Sequence, residues 1–221
     1  MATLMAAMGL FGCVRKAENK GESVPDDGTF VIEGRLPAER YDSACLYLVP
    51  MQGPHPRPVD STFVARDGSF RFEGNIEQMA VLRLDYHRRM GIQDLLVVTE
   101  PGVTHVILDS VSSSCGTLQN DSLQAFKDRM EYYNKQVGML AMMRNAGQLD
   151  DQNYHMRFDQ VRDEMGDWGY RFCKGLGRRT LSIYYFNHLF AGRLDDVRRT
   201  ELGELLKDTI DYTLPQPGFH R

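Results

Sequence analysis

Four cysteines, Cys13, Cys45, Cys115 and Cys173, are the side chains of this chain best suited to covalent chemistry. A redox pair needs C-x-x-C, where a resolving thiol sits beside the attacking one, and a zinc site needs a second Cys or His a few residues away. None of the four has either. Cys45 lies in an apolar strand pattern and reads as a buried thiol; with Cys115 and Cys173 it leaves room for at most one intramolecular disulfide. His155 has Asp151 and Asp159 four residues to either side, so on a helix the three share a face, as part of a metal site would. The polar face of an amphipathic helix looks the same, and no second cluster joins them, so no metal is expected. Asp60-Ser61 lacks the G-x-S-x-G setting of a nucleophilic serine, although a triad built from distant residues leaves no spacing to read. Gly175-Leu176-Gly177-Arg178-Arg179 is a helix stop, not a phosphate loop. The Arg88-Arg89 pair reads as a solvated loop, with an anionic ligand as the alternative. Tyr184-Tyr185-Phe186 with Phe190 reads as core packing ahead of a binding ledge. The expectation is a chain with no catalytic residues, no cofactor-binding residues and no cofactor.

The elements that hold these residues change character once along the chain. From Thr29 to about Asp109 the pattern is of strands. Phe30–Gly34, Cys45–Val49, Ser61–Ala65, Ser69–Glu73, Ala80–Tyr86, Leu95–Val98 and Val103–Leu108 are short apolar or alternating runs. Asp67-Gly68 between two of them is a hairpin signal, and the three prolines of residues 54–58 exclude a central strand there. After Cys115-Gly116 the apolar period becomes helical. Asp121 with Gln124 gives a capping-box start, followed by a stripe of Leu123, Phe126, Met130, Tyr133 and Val137. A second helix after Asp150 carries Tyr154, Phe158, Val161, Met165, Trp168 and Phe172, which places Trp168 in a helix–helix core. Further apolar segments span residues 181–190 and 194–210. The fold class is α+β: an antiparallel β-sandwich or open-barrel-like domain followed by a helical segment, with the helices packed partly against the sheet.

The formal charge of −4 comes entirely from residues 1–115, which hold 11 basic and 15 acidic side chains. No segment has the basic excess that phosphate neutralisation requires, which argues against nucleic acid as a partner. Met1 to Gly12 carry no charge, are mostly apolar and end in Leu10-Phe11-Gly12-Cys13. The run is too short to span a bilayer as a helix. It suits the apolar end of a secretory signal. A small residue before a cysteine resembles the bacterial lipoprotein signal, which implies lipid attachment at Cys13. No Lys or Arg precedes the run, and a start upstream of Met1 would supply the missing basic region. A hydrophobic N-terminus with an incidental cysteine is the alternative. The charged stretch after Cys13 reads as a tether. The organisation expected is signal over 1–13, tether over 14–28, β-rich domain over 29–115, helical region over 116–212 and tail over 213–221.

Val59-Asp60-Ser61, Asp67-Gly68-Ser69-Phe70-Arg71-Phe72-Glu73-Gly74, Glu100-Pro101-Gly102 and Gly116-Thr117-Leu118-Gln119-Asn120 follow one another in that order. The ordered set resembles the domain of unknown function numbered 4369, over roughly residues 29–125. The resemblance implies an envelope protein of a Gram-negative anaerobe, with this domain between a lipoprotein signal and a helical connector. It also implies a thioredoxin-like thiol-disulfide domain beyond the connector, starting near Thr213. The sequence given stops at Arg221 without C-x-x-C, so that activity does not carry over.

The function expected is a non-catalytic, lipid-anchored accessory or binding module of the cell envelope, on the periplasmic or outer-membrane face, with an envelope protein as its partner. One alternative is a docking or regulatory subunit of a thiol-disulfide system. Another is an oxidoreductase that has lost its catalytic domain.

Overall fold

The computed structural model describes residues 28–51, 56–85 and 91–207. The segment through Cys13, the tether up to residue 27, Arg88-Arg89 and the tail from residue 208 lie outside the described residues.

Among the described residues, eight strands form two four-stranded sheets. They are β1 (Phe30–Arg35), β2 (Cys45–Pro50), β3 (Asp60–Phe63), β4 (Ser69–Gly74), β5 (Met79–Leu84), β6 (Leu95–Val98), β7 (Gly102–Ile107) and β8 (Ser113–Cys115). The first sheet runs β4-β1-β7-β8 and the second β3-β2-β5-β6. Alternation along each strand sends one set of side chains between the sheets. Ile32, Leu46, Leu48, Phe70, Phe72, Ala80, Leu82, Leu95 and Val97 meet there in one core. Removing each of the larger ones from water contributes on the order of 2 kcal/mol.

The sandwich is α+β and antiparallel-rich as expected, with three departures. First, β1 pairs parallel with β7, Phe30 opposite Gly102 and Arg35 opposite Ile107. Between them the chain crosses to the other sheet twice: it first returns as β4, antiparallel on one side of β1, and then as β7, parallel on the other side. Second, Asp67-Gly68 turns the chain tightly, with Gly68 N donating to Ala65 O at 2.8 Å. However, β3 pairs with β2 and β4 with β1, so the turn is a corner between sheets and not a hairpin within one. Val64, just after β3, and Phe70 and Phe72 of β4 enter the same inter-sheet core, which satisfies the apolar pattern either way. Third, the short helix α1 (Ala38–Tyr41) and the serine-rich β8 carry too little apolar pattern to be seen in advance.

The helices follow. α2 (Leu118–Asn145) and α3 (Asp151–Leu176) form a hairpin, joined by residues 146–150. The Asp150 carboxylate caps α3 by accepting from Asn153 N at 2.8 Å. Tyr133 Oη reaches the Glu164 carbonyl at 3.2 Å across the pair. α3 stops before Gly177 as read from its glycines. α4 (Thr180–Tyr185) continues into one π-helical turn (Phe186–Phe190), and α5 (Asp196–Leu206) completes the layer. Phe190 lies so close to Gly169 that a Cβ there would meet its ring at 2.2 Å. Around this contact gather Phe126, Cys173, Leu194 and Leu202. Trp168 is only partly buried, stacked on Phe172 with ring centroids 5.0 Å apart, so it flanks the core instead of filling it.

A second cluster of Met79, Val98, Leu123 and Leu181 seats the helices on the outer face of β5 and β6. That is the expected packing of helices against the sheet. No helix among the described residues is long and apolar enough to cross a membrane.

Candidate functional site

The polar residues of the last two motifs, Glu100, Thr117, Gln119 and Asn120, converge at the junction of the two layers. α2 starts at Leu118, three residues before the expected Asp121, and the Thr117 side chain does not cap it. The cap comes from the β6–β7 turn. Glu100 Oε1 accepts from Gln119 N at 2.5 Å and from Asn120 N at 3.2 Å. A carboxylate at a helix N-terminus satisfies donors that have no partner within the helix and opposes the positive end of the dipole. Asp121 instead reaches back to Gly116 N at 2.9 Å. Gly116 has φ +113, and a Cβ there would lie 2.6 Å from the Val103 carbonyl, so glycine alone fits.

Asn120 is fully buried and closes the edge of β6. Its Oδ1 accepts from Val98 N at 3.0 Å, and its Nδ2 donates to Val98 O at 2.8 Å and to the Thr104 and Thr117 hydroxyls. The Gln119 amide bridges Glu100 and Glu77, while its Oε1 accepts from Leu181 N at 2.9 Å. Thr180 Oγ1 donates to the same Glu77 oxygen at 2.7 Å. Every polar side-chain atom of Glu100, Gln119 and Asn120 thus has a protein partner. The network is a clamp between sandwich and helices.

Two grooves among the described residues lie outside this clamp. One, of about 560 Å³, lies between α2, α3 and the α4–π segment. Its walls include Met130, Val137, Phe158, Val161, Met165 and Tyr184, and Asn134, Arg162, His188 and Arg193 also line it. The π turn sets His188 against the Tyr184 ring, with centroids 4.5 Å apart. Burial raises the Tyr184 and Tyr185 hydroxyls above their ordinary pKa. Tyr185 itself stacks on Phe126 at 3.7 Å, as core packing. Tyr184 is the member of the aromatic group beside His188 in the groove.

The other surface is the outer face of the first sheet, where a groove of about 700 Å³ contains Glu33, Arg35, Arg71, His105 and Cys115. Glu33 stands between Arg71, at 3.2 Å, and His105, whose Nδ1 lies 3.2 Å from Glu33 Oε1. Sequence reading missed this row because its members come from four strands whose order no local pattern reveals.

The remaining candidates do not converge. Asp151 pairs with Arg144, Asp159 with Arg162, and His155 packs edge-on to Tyr154. No group of metal-ligating side chains occurs among the described residues. Ser61 is exposed, and its N–H donates to Asp60. Cys173 is buried, its Sγ 3.7 Å from Ser182 O, and burial pushes its thiol up to about 12, far from nucleophilic. Cys45, expected to be buried, is partly exposed on the outer face of β2. Three side-chain atoms among the described residues are shielded from solvent without a hydrogen-bond partner: Ser114 Oγ on β8, and Gln124 Oε1 and Lys127 Nζ on α2. Burial lowers the Lys127 amine to about 8.

No curated protein and no solved structure matches this chain. A family model does match, over a segment that runs from the first residue of β1 to just beyond the clamp residues Gln119 and Asn120. Residues 30–123 resemble the family described as Domain of unknown function (DUF4369).

Proposed function

We propose that the protein is a non-catalytic accessory and binding module of the cell envelope, held to a membrane by lipid on Cys13. In this reading the sandwich and its clamp are a rigid base, and the helical groove receives the ligand. The observation that carries it is the groove itself: about 560 Å³ of largely apolar wall built on three helices, with His188 and Arg193 among its polar lining. Such a site suits an apolar or ring-bearing group with a negatively charged end, because ligand sites combine apolar walls with a few placed polar groups.

The experiment is a titration with 1-anilinonaphthalene-8-sulfonate, an anionic aromatic probe. Saturable fluorescence enhancement is expected for the wild type, and its loss in Val161→Trp, which fills the groove from α3. Equal enhancement in a folded Val161→Trp protein would remove the groove from the proposal. The anchor is tested separately, by membrane fractionation of Cys13→Ala expressed from its full upstream start. Unchanged membrane association would refute lipid attachment.

A further inference from the structure

We infer that Cys115 is a nucleophilic thiol activated by His105, and that it takes up small disulfides on the outer face of the first sheet. This site is separate from the helical groove and does not depend on the function proposed for it. Strand register carries the inference. In β7 and β8, His105 stands directly opposite Cys115, and in β1, Glu33 stands directly opposite His105. On the far side of β1, Arg71 stands opposite Glu33. One row, Arg71–Glu33–His105–Cys115, therefore crosses all four strands on a single face, and all four residues line the same groove. Directly opposed residues of an antiparallel pair have Cβ atoms about 4.5–5.5 Å apart, within reach of a thiol and an imidazole.

Glu33 holds one edge of the imidazole. Its Nδ1 faces Glu33 Oε1 at 3.2 Å, which favours the proton on Nδ1 and leaves the Nε2 lone pair available. Its Cδ2 edge lies against Gly116, 3.3 Å from where a Cβ would stand, so the ring extends from Glu33 toward β8. A nucleophile, a base and a group that orients the base are thus consecutive in the row. Arg71 holds Glu33 in place, 3.2 Å away, so Glu33 and Arg71 are positioning residues.

The chemistry balances with the disulfide as sole co-reactant. The thiol proton passes to His105 Nε2, and the Cys115 thiolate attacks one sulfur of R–S–S–R. A Cys115–S–S–R bond forms as the original S–S bond breaks. The departing thiolate R–S⁻ takes the proton back from the imidazolium and leaves as R–SH. No second cysteine stands in the row to resolve the product, so the mixed disulfide persists as a modification and does not turn over.

The test follows alkylation of the Cys115 peptide by iodoacetamide, using mass spectrometry on the intact folded chain between pH 5.5 and 10. The charged groups around the thiol are His105, Glu33, Arg71, Arg35 and Glu73 on the sheet, with Asp121 on the adjoining helix. The wild-type rate should already be substantial below pH 7. His105→Gln should slow it about tenfold at pH 7 and converge with wild type above pH 9, as loss of a thiolate-stabilising partner requires. Glu33→Gln should give an intermediate profile. Incubation with 5,5′-dithiobis(2-nitrobenzoate) should place one mixed disulfide on Cys115 ahead of Cys45. A wild-type profile with the inflection of an ordinary cysteine, near pH 8.5, would overturn the inference whatever the variants do. So would a His105→Gln profile that overlays the wild type.

Discussion

Lys127 is the residue whose environment fits it least. Its amine is lowered to about 8 by burial, with only the neighbouring Asp128 acting in the other direction. In the unfolded chain a lysine titrates near 10.4. Below about pH 8 folding must therefore shield a charged amine, and the unfolded state binds the proton more tightly. The penalty is full below the folded value and disappears above the unfolded one. Lys127→Met is expected to stabilise the protein by about 1–2 kcal/mol at pH 7, allowing for partial solvent access. Urea denaturation at pH 7 and pH 10.5 should show that gain shrinking to near zero, and a gain independent of pH would contradict the burial account. Trp168 gives the contrasting case. Its stripe predicts a core residue, whereas the indole lies at the edge of the aromatic cluster against Phe126 and Phe172. Trp168→Ala should therefore cost about 2–3 kcal/mol, at or below the lower end of full core truncations. The helical spacing correctly gave the face, but the depth depended on α5 and Phe190, which no pattern within α3 encodes.

At the scale of elements, the start of α2 decides whether the two layers stay together. Its N-terminal donors are served from the β6–β7 turn by Glu100. Glu100→Ala would leave the Gln119 and Asn120 N–H groups buried without acceptors, and also one side of the Gln119 amide. A loss of about 2–4 kcal/mol is expected, read as a lower urea midpoint. Near-UV circular dichroism of the helical aromatics should weaken before the sandwich unfolds; coincident loss would show that the layers are one cooperative unit. Seven of the eight strands of the sandwich were legible because period-two alternation reports directly on which side chains meet the core. The clamp was half legible. Glu100, Gln119 and Asn120 stood in the motifs, but their contact runs between a turn and a helix end, and sequence spacing carries no such distance. The Asp121–Gln124 signal misplaced the helix start for the same reason: a cap supplied from a distant turn leaves no local signature. The parallel pairing of β1 with β7, and with it the Cys115 row, was illegible because alternation is the same for either strand direction.

For the whole molecule, the described cysteines stand apart in role and depth: Cys173 is sealed in the helical core, whereas Cys45 and Cys115 lie on the outer faces of different sheets. Reductive turnover needs two thiols side by side. Incubated with insulin and dithiothreitol, the protein is expected to accelerate precipitation no more than a variant with every cysteine replaced, and a clear excess would refute the non-catalytic reading. The parallel pair β1–β7 has a consequence in time. Phe30 finds Gly102 only when roughly 70 further residues are in place. Until then β1 can pair on one side only, with β4. Its opposite edge stays bare, and the later strands β7 and β8 are the ones that shield it. A chain cut between residues 74 and 102 would keep that edge open, and should aggregate where the full chain does not.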